Sequence, residues 1–348
     1  MMSWQEILGH EAIVERFRRC VQRGRLASTF LFIGPAGIGK FRFAQKMAAA
    51  LLCEEYSEHE LESCGECPAC RQVHNESHPD LEIVRKPDDK IFIPLEKFVG
   101  DKEHGTREGL CQRMSLKPFC GGRKIAIIDD ADFLNLEGAN CLLKTLEEPP
   151  PRSVLFLIGT SEYKQLPTIR SRCQVIRFGA LPTSAVQHLL LKQGLVEDPN
   201  QAAELAQQSE GSLERALEYA DPDLYEIRTQ LFDFLAQRHP DSVALSRLLT
   251  DFLDDVGQDV PRKRQRMRQV ILSGAEFYSS LIRLMTGVQL GEQQKSLQET
   301  VQRALHEGDG EETRVAQKLE RCLLAVDQLQ ANANVSTLLE CWVDDLAH

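Results

Sequence analysis

The sequence predicts an α/β domain with a parallel sheet, followed by a small helical domain and a larger all-helical one. Three observations carry this. Short apolar runs alternate with amphipathic stretches through the first half, as in a parallel sheet with helical crossovers. The stretch 33-IGPAGIGK-40 follows an apolar run and opens a helical pattern, the setting of a phosphate-binding loop. Beyond Phe178 no convincing strand pattern remains.

Strands are expected at 28-STFLFIG-34, 80-DLEIVR-85, 123-RKIAIID-129, 153-SVLFLIG-159 and 173-CQVIRF-178. Helical patterns lie between them at 39-GKFRFAQKMAAALLC-53 and 136-LEGANCLLKTLEE-148, the second closed by 149-PPP-151 because proline cannot continue a helix. Later breaks fall near 209-SEGS-212, 220-ADPD-223, 238-RHPDS-242 and 307-EGDG-310. The expected division is 1–180 for the α/β domain, 181–222 for a small helical domain and 223–348 for a helical C-terminal domain.

With 348 residues, 42% hydrophobic and 27% charged, the composition is that of a soluble globular protein able to bury a sizeable core. No apolar run approaches the ~20 residues that cross a bilayer. The start, MMSWQEILGHEAIVERF, lacks the basic-then-apolar pattern of a signal peptide, so a cytoplasmic location is expected. A net charge of −11 argues against a chain that wraps DNA by itself, since backbone affinity comes from Lys and Arg. It leaves room for an assembly that touches DNA through other subunits.

In the loop, Gly34, Gly37 and Gly39 let the backbone approach a phosphate, and Lys40 supplies charge. The next position, where a Ser or Thr hydroxyl would ligate Mg²⁺, is Phe41. ATP and Mg²⁺ binding are therefore both open, and hydrolysis is not expected. In 125-IAIIDDAD-132 an apolar strand ends in Asp129, the expected metal-site carboxylate, and Asp130 follows where hydrolytic proteins carry Glu.

Cys64, Cys67 and Cys70 form C-x₂-C-x₂-C, with Cys53 ten residues before Cys64, all in an insertion at about 53–78. Four thiolates on small-residue turns suit a closed, structural Zn²⁺ site; an iron–sulfur cluster is the rival reading. Four sulfurs fill the shell, so His59, His74 and His78 read as surface residues. The remaining cysteines, at 20, 111, 120, 141, 173, 322 and 341, are isolated. Arg172, in 166-LPTIRSRCQVIRF-178, precedes a short strand; an arginine there can act in trans on a neighbour's γ-phosphate, or can be simply solvated.

LFIGPAGIGK, the four-cysteine insertion, 139-ANCLLKTLEEPP-150 and SRC at 171–173 occur in the order of the clamp-loader branch of the AAA+ family, which the chain resembles. The resemblance is sharp to about residue 180 and loose beyond it. It implies an AAA+ α/β domain, a small helical lid and a helical collar that closes a hetero-pentameric ring. That ring opens a sliding clamp and loads it on primed DNA.

The resemblance makes Arg172 an arginine finger reaching ATP on an adjacent gamma or tau subunit, with a delta subunit also in the ring. Lys40 becomes the phosphate lysine, Asp129 the metal-site aspartate and Thr160 a γ-phosphate sensor. At the second sensor the hydrolysing relatives resemble Gly-Ser-Leu-Arg, whereas 211-GSLER-215 puts Glu214 there. Phe41, Asp130 and Glu214 thus depart together, which favours a non-motor subunit with little or no ATPase activity of its own.

The runner-up is a gamma/tau-like motor, which shares the cysteine insertion but needs all three missing groups. An independent AAA+ ATPase acting on proteins would hydrolyse ATP alone. A zinc-containing DNA-binding regulator would rest on the basic run 261-PRKRQRMRQ-269, which otherwise reads as a solvated helix face or one turned to a neighbouring collar.

Overall fold

The computed structural model describes residues 4–87, 90, 92–100, 109–120, 122–238, 240–257, 259–288, 295–307 and 312–347. They divide into two compact units, one within Met1–Pro199 and Ser209–Arg215, the other within Asn200–Gln208 and Ala216–His348.

The first unit holds a five-stranded sheet of β1 (Thr29–Ile33), β2 (Leu81–Val84), β3 (Lys124–Ile128), β4 (Ser153–Gly159) and β5 (Gln174–Arg177). Every pairing is parallel, in the order β2-β3-β4-β1-β5, with Leu31 opposite Leu157 and Ile128 opposite Leu157 on the other side. β1, β3 and β4 are buried along their whole length, because helices cover both faces of a parallel sheet; hence their near-continuous apolar runs.

The two faces differ in chemistry. On one, Phe17 of helix α1 (Glu11–Gln22) and Phe43 of α2 (Lys40–Leu52) meet Phe30, Phe32 and Phe178, with ring centroids 4.9–6.1 Å apart. Such aromatic contacts add about 0.5–1.5 kcal/mol each beyond area burial. The other face carries Leu31, Ile33, Ala126, Ile128, Leu155 and Leu157 against Leu142 and Leu146 of the helix Leu136–Glu147. That helix is capped by Asn135, whose side chain accepts from the Gly138 N–H at 2.8 Å.

The second unit is helical. Helices Pro222–Leu235, Ser242–Asp254, Val260–Met285, Lys295–Glu307, Glu312–Gln330 and Val335–Ala347 enclose Leu231, Leu249, Phe277, Val301 and Trp342. Helices start on aspartate caps at Asp221, Asp241 and Asp259, the first two within the expected breaks at 220–223 and 238–242. Residues 308–310 of the break expected at 307–310 lie outside the described residues.

The basic run is partly solvated, with Pro261, Arg262, Gln265 and Arg268 exposed, and partly engaged within its own unit. Arg264 donates to the carbonyls of Leu329 and Ala333 at 2.9 and 3.0 Å, and Arg266 donates to Phe252 O at 2.7 Å while lying 4.5 Å over its ring. Lys263 pairs with Asp254 and Arg262 with Asp259. These cations satisfy helix-end carbonyls and acids of their own unit, where a positive charge is favoured. No helix among the described residues is long and apolar enough to cross a membrane.

Candidate functional site

The loop between β1 and α2 is shaped by its glycines. Gly37 and Gly39 take φ of +71° and +90°, which side chains rarely tolerate. A Cβ on Gly37 would lie 2.4 Å from both Ser212 Oγ and Glu214 Cβ, and one on Gly34 would lie 2.4 Å from the Phe178 carbonyl. The turn at 212–214 sits directly on the loop: Ser212 Oγ donates to Ala36 O at 2.9 Å and the Leu213 N–H to Gly37 O at 3.0 Å.

Lys40 is buried, and its ammonium donates to two carbonyls of its own loop, Gly34 at 2.7 Å and Pro35 at 2.5 Å. Burial lowers its pKa, while Asp129, Asp132, Glu214 and Asp130 act to raise it. Lys40 is thus held by its own loop.

Asp129 stands at the end of β3 as expected. Burial, then the neighbouring Asp130 charge, push its carboxyl up to about 6. Arg85, just past the end of β2, places Nε 3.9 Å from Asp129 Oδ2. The same guanidinium lies 4.3 Å over the Phe41 ring and makes two bonds to Glu76, at 2.7 and 2.5 Å. Asp130 takes the left-handed region, with its N–H donating to Asp129 Oδ1 at 3.1 Å. Where a Mg²⁺ site would offer a hydroxyl and a free carboxylate, this chain offers an aromatic ring and a carboxylate already facing a cation.

Thr160, at the end of β4, donates its hydroxyl and N–H to Asp132 Oδ2 at 2.5 and 2.8 Å, and Gln165 Nε2 reaches Asp132 Oδ1 at 2.6 Å. Asp132, Arg85 and Glu76 were not among the residues expected from the sequence. The available signal was topological: β2, β3 and β4 are adjacent, and the carboxyl ends of parallel strands converge on one site.

Arg172 is not brought to this loop. Its carbonyl accepts from Thr29 Oγ1 at 2.7 Å, at the first residue of β1, whereas the loop follows Ile33 at the last. The strand's length, about 13 Å, separates the two ends. The Arg172 side chain is about one-third exposed.

The four cysteines form a separate cluster. Cys53, Cys64, Cys67 and Cys70 hold their Sγ atoms within 4.8 Å of one another, with Cys64 and Cys70 3.9 Å apart. A tetrahedron with metal–sulfur bonds near 2.3 Å has edges of about 3.8 Å, so the set fits a single ion. Backbone N–H groups point at the sulfurs, from Cys67 to Cys64 at 3.2 Å and from Cys70 to Cys67 at 3.4 Å. Burial acts to raise the Cys64 thiol, but the Cys67 and Glu66 N–H groups outweigh it and bring it down to about 7. His59 and His74 are exposed. His78 is not the surface residue expected: it is buried, and its Nδ1 accepts from the Asp80 N–H at 3.0 Å, because it anchors the turn into β2.

The family described as DNA polymerase III, delta subunit, matches residues 9–182, half of the chain. DNA polymerase III subunit delta' of Pseudomonas aeruginosa is 35% identical over 182 residues, 52% of this chain and 52% of its own length. The subunit delta' of Bacillus subtilis is 26% identical over 97% of both chains. DNA polymerase III subunit tau of Escherichia coli is 29% identical over 70% of this chain. The chain spans about half the length of the Pseudomonas relative and 37% of the Escherichia coli one. The matched span runs from α1 through the loop, the cysteine cluster and Arg172, and the chain belongs to the DNA polymerase III, delta subunit, family.

Proposed function

We propose that this protein is a delta prime-like, non-motor subunit of a bacterial clamp loader, part of the machinery that loads a sliding clamp on primed DNA in the cytoplasm. It carries an AAA+ domain (1–180), a lid (181–222) and a collar (223–348), in a hetero-pentameric ring with gamma/tau and delta subunits. Its four cysteines hold a structural Zn²⁺. Its own loop, with Gly34, Gly37, Gly39, Lys40, Asp129 and Thr160, is a degenerate nucleotide site. Its catalytic contribution is Arg172, offered in trans to ATP on the next subunit.

The observation that carries this reading is the contrast between the two ends of β1. At one end Lys40 is bonded to its own loop and Arg85 faces Asp129. At the other, Arg172 is partly exposed and too far from that loop to serve it. A finger supplied in trans is worth about 10³–10⁵ in rate in GTPase systems.

The test is Arg172→Ala in the complex reconstituted with the gamma/tau and delta subunits. DNA-stimulated ATP hydrolysis should fall at least tenfold with ring assembly intact by gel filtration. Unchanged hydrolysis in an intact ring would remove the finger. A gamma/tau-like motor, the second reading, is favoured by identity to tau subunits, 29% for that of Escherichia coli; it requires ATP turnover by the isolated chain.

A further inference from the structure

We propose that Glu147 is a latch for Arg172: it holds the guanidinium in cis and sets how readily the finger engages a neighbour's phosphate. This rests on the trans-finger reading above. The contacts are specific. Arg172 Nε and Nη2 both meet Glu147 Oε1, at 2.7 and 2.5 Å, while Nη1 donates to Thr168 O at 3.0 Å and Ser171 Oγ at 3.1 Å. All three guanidinium nitrogens therefore have acceptors within the chain.

A carboxylate and a phosphate compete for the same fork, since both accept bidentate, charge-assisted bonds from arginine. Glu147 is also the last residue of the helix Leu136–Glu147, whose terminal carbonyls add negative potential near the guanidinium. To reach a γ-phosphate, Arg172 must exchange Glu147 for it. The anchor of the exchange is rigid, because the Arg172 carbonyl is tied to Thr29 and its N–H to Ile169 O. Only the side chain needs to swing.

The latch is weak enough to be reversible. Both side chains are partly exposed, 32% for Arg172 and 49% for Glu147, and exposed pairs of this kind change an equilibrium by roughly two- to five-fold at most. Glu147 is therefore a positioning residue whose removal makes the finger more available without touching any reacting atom.

The reconstituted complex tests this with five variants of this chain: Glu147→Gln, Glu147→Asp, Arg172→Ala, the Glu147→Gln/Arg172→Ala double variant, and Glu148→Gln as the neighbouring-charge control. Glu147→Gln should raise DNA-stimulated kcat for ATP roughly two- to five-fold. The gain should vanish in the Arg172→Ala background, and Glu148→Gln should match the parent. A Glu147→Asp variant, which restores the charge, should bring the rate back toward the parent. If Arg172→Ala depresses hydrolysis but Glu147→Gln leaves it unchanged or lowers it, the finger stands and the latch is wrong. If the Glu147→Gln gain persists without Arg172, Glu147 acts through something else and the latch is likewise wrong. If Arg172→Ala has no effect at all, both readings fall together.

Discussion

The guanidinium of Arg85 lies 4.3 Å over the ring of Phe41 while its Nε stands 3.9 Å from Asp129 Oδ2. Mg²⁺ demands hard oxygen ligands in near-octahedral geometry, and neither an aromatic face nor a guanidinium supplies one. The pair is self-stabilising, since a cation over an aromatic ring contributes about 0.5–2 kcal/mol, and Glu76 fixes the guanidinium from the other side. Arg85 therefore stands beside Phe41 as a second group set against Mg²⁺ at Asp129.

Restoring the hydroxyl alone should fail. In a titration of the isolated chain with a fluorescent adenine nucleotide, the parent and Phe41→Thr should show no strengthening of binding on adding Mg²⁺. Phe41→Thr combined with Arg85→Ala should gain a Mg²⁺-dependent component, because Asp129 is then freed. Mg²⁺-dependent binding by Phe41→Thr with Arg85 in place would show that Arg85 does not block the site.

Asp129 gives a pH signature. Its carboxyl is raised from 3.8 to about 6, first by burial and then by Asp130. An acid whose folded pKa exceeds its unfolded value binds the proton more tightly when folded, so its ionisation destabilises the fold as pH rises between those two values. Above about 6 the penalty is complete. The shift corresponds to about 1–3 kcal/mol after allowance for partial exposure. Asp129→Asn should accordingly melt higher than the parent at pH 7.5, and the advantage should shrink toward pH 4. A constant difference across that range, measured by thermal unfolding, would mean that the Asp129 charge is not the cause.

The strands and the phosphate loop were legible in the sequence because each is a local pattern: β1, β3 and β4 are continuous apolar runs, and the glycines of 34–39 need only their immediate neighbours to define a turn. The cysteine cluster was legible for the same reason, through spacing. Arg85, Glu76 and Asp132 were not, since nothing local marks a residue after β2 as facing the end of β3. The basic run was only half legible for the converse reason: Arg262 and Arg268 are exposed as a solvated face would be, but Arg264 and Arg266 are engaged within the unit. Seen alone, 261–269 is a row of charges on a helix; the acceptors for Arg264 are the carbonyls of Leu329 and Ala333, far along the chain. His78 was misread because its partner, the Asp80 N–H, is a backbone group with no sequence signal.

Cys67 and Cys70 are buried, and burial pushes both thiols up, so without a cation this pocket favours neutral sulfurs. A divalent ion reverses that balance by supplying the charge that makes all four thiolates favourable, and binding then becomes part of folding. The purified chain should carry one zinc per molecule by elemental analysis, with no iron and no visible absorption of an iron–sulfur cluster. Cys67→Ser should lose the metal and lower the melting temperature. The cluster packs beside α2, with Cys70 Sγ 4.0 Å from the Ala49 carbonyl, and Gln45 of the same helix donates to the Val73 and His74 carbonyls at the end of the helix Pro68–His74. The destabilisation should therefore reach the α/β sheet rather than stay in the insertion, and should appear as a shift of the first unit's unfolding transition. Stoichiometric iron would replace zinc with a cluster. A Cys67→Ser chain that loses zinc yet melts unchanged would show that the metal does not hold this part of the fold.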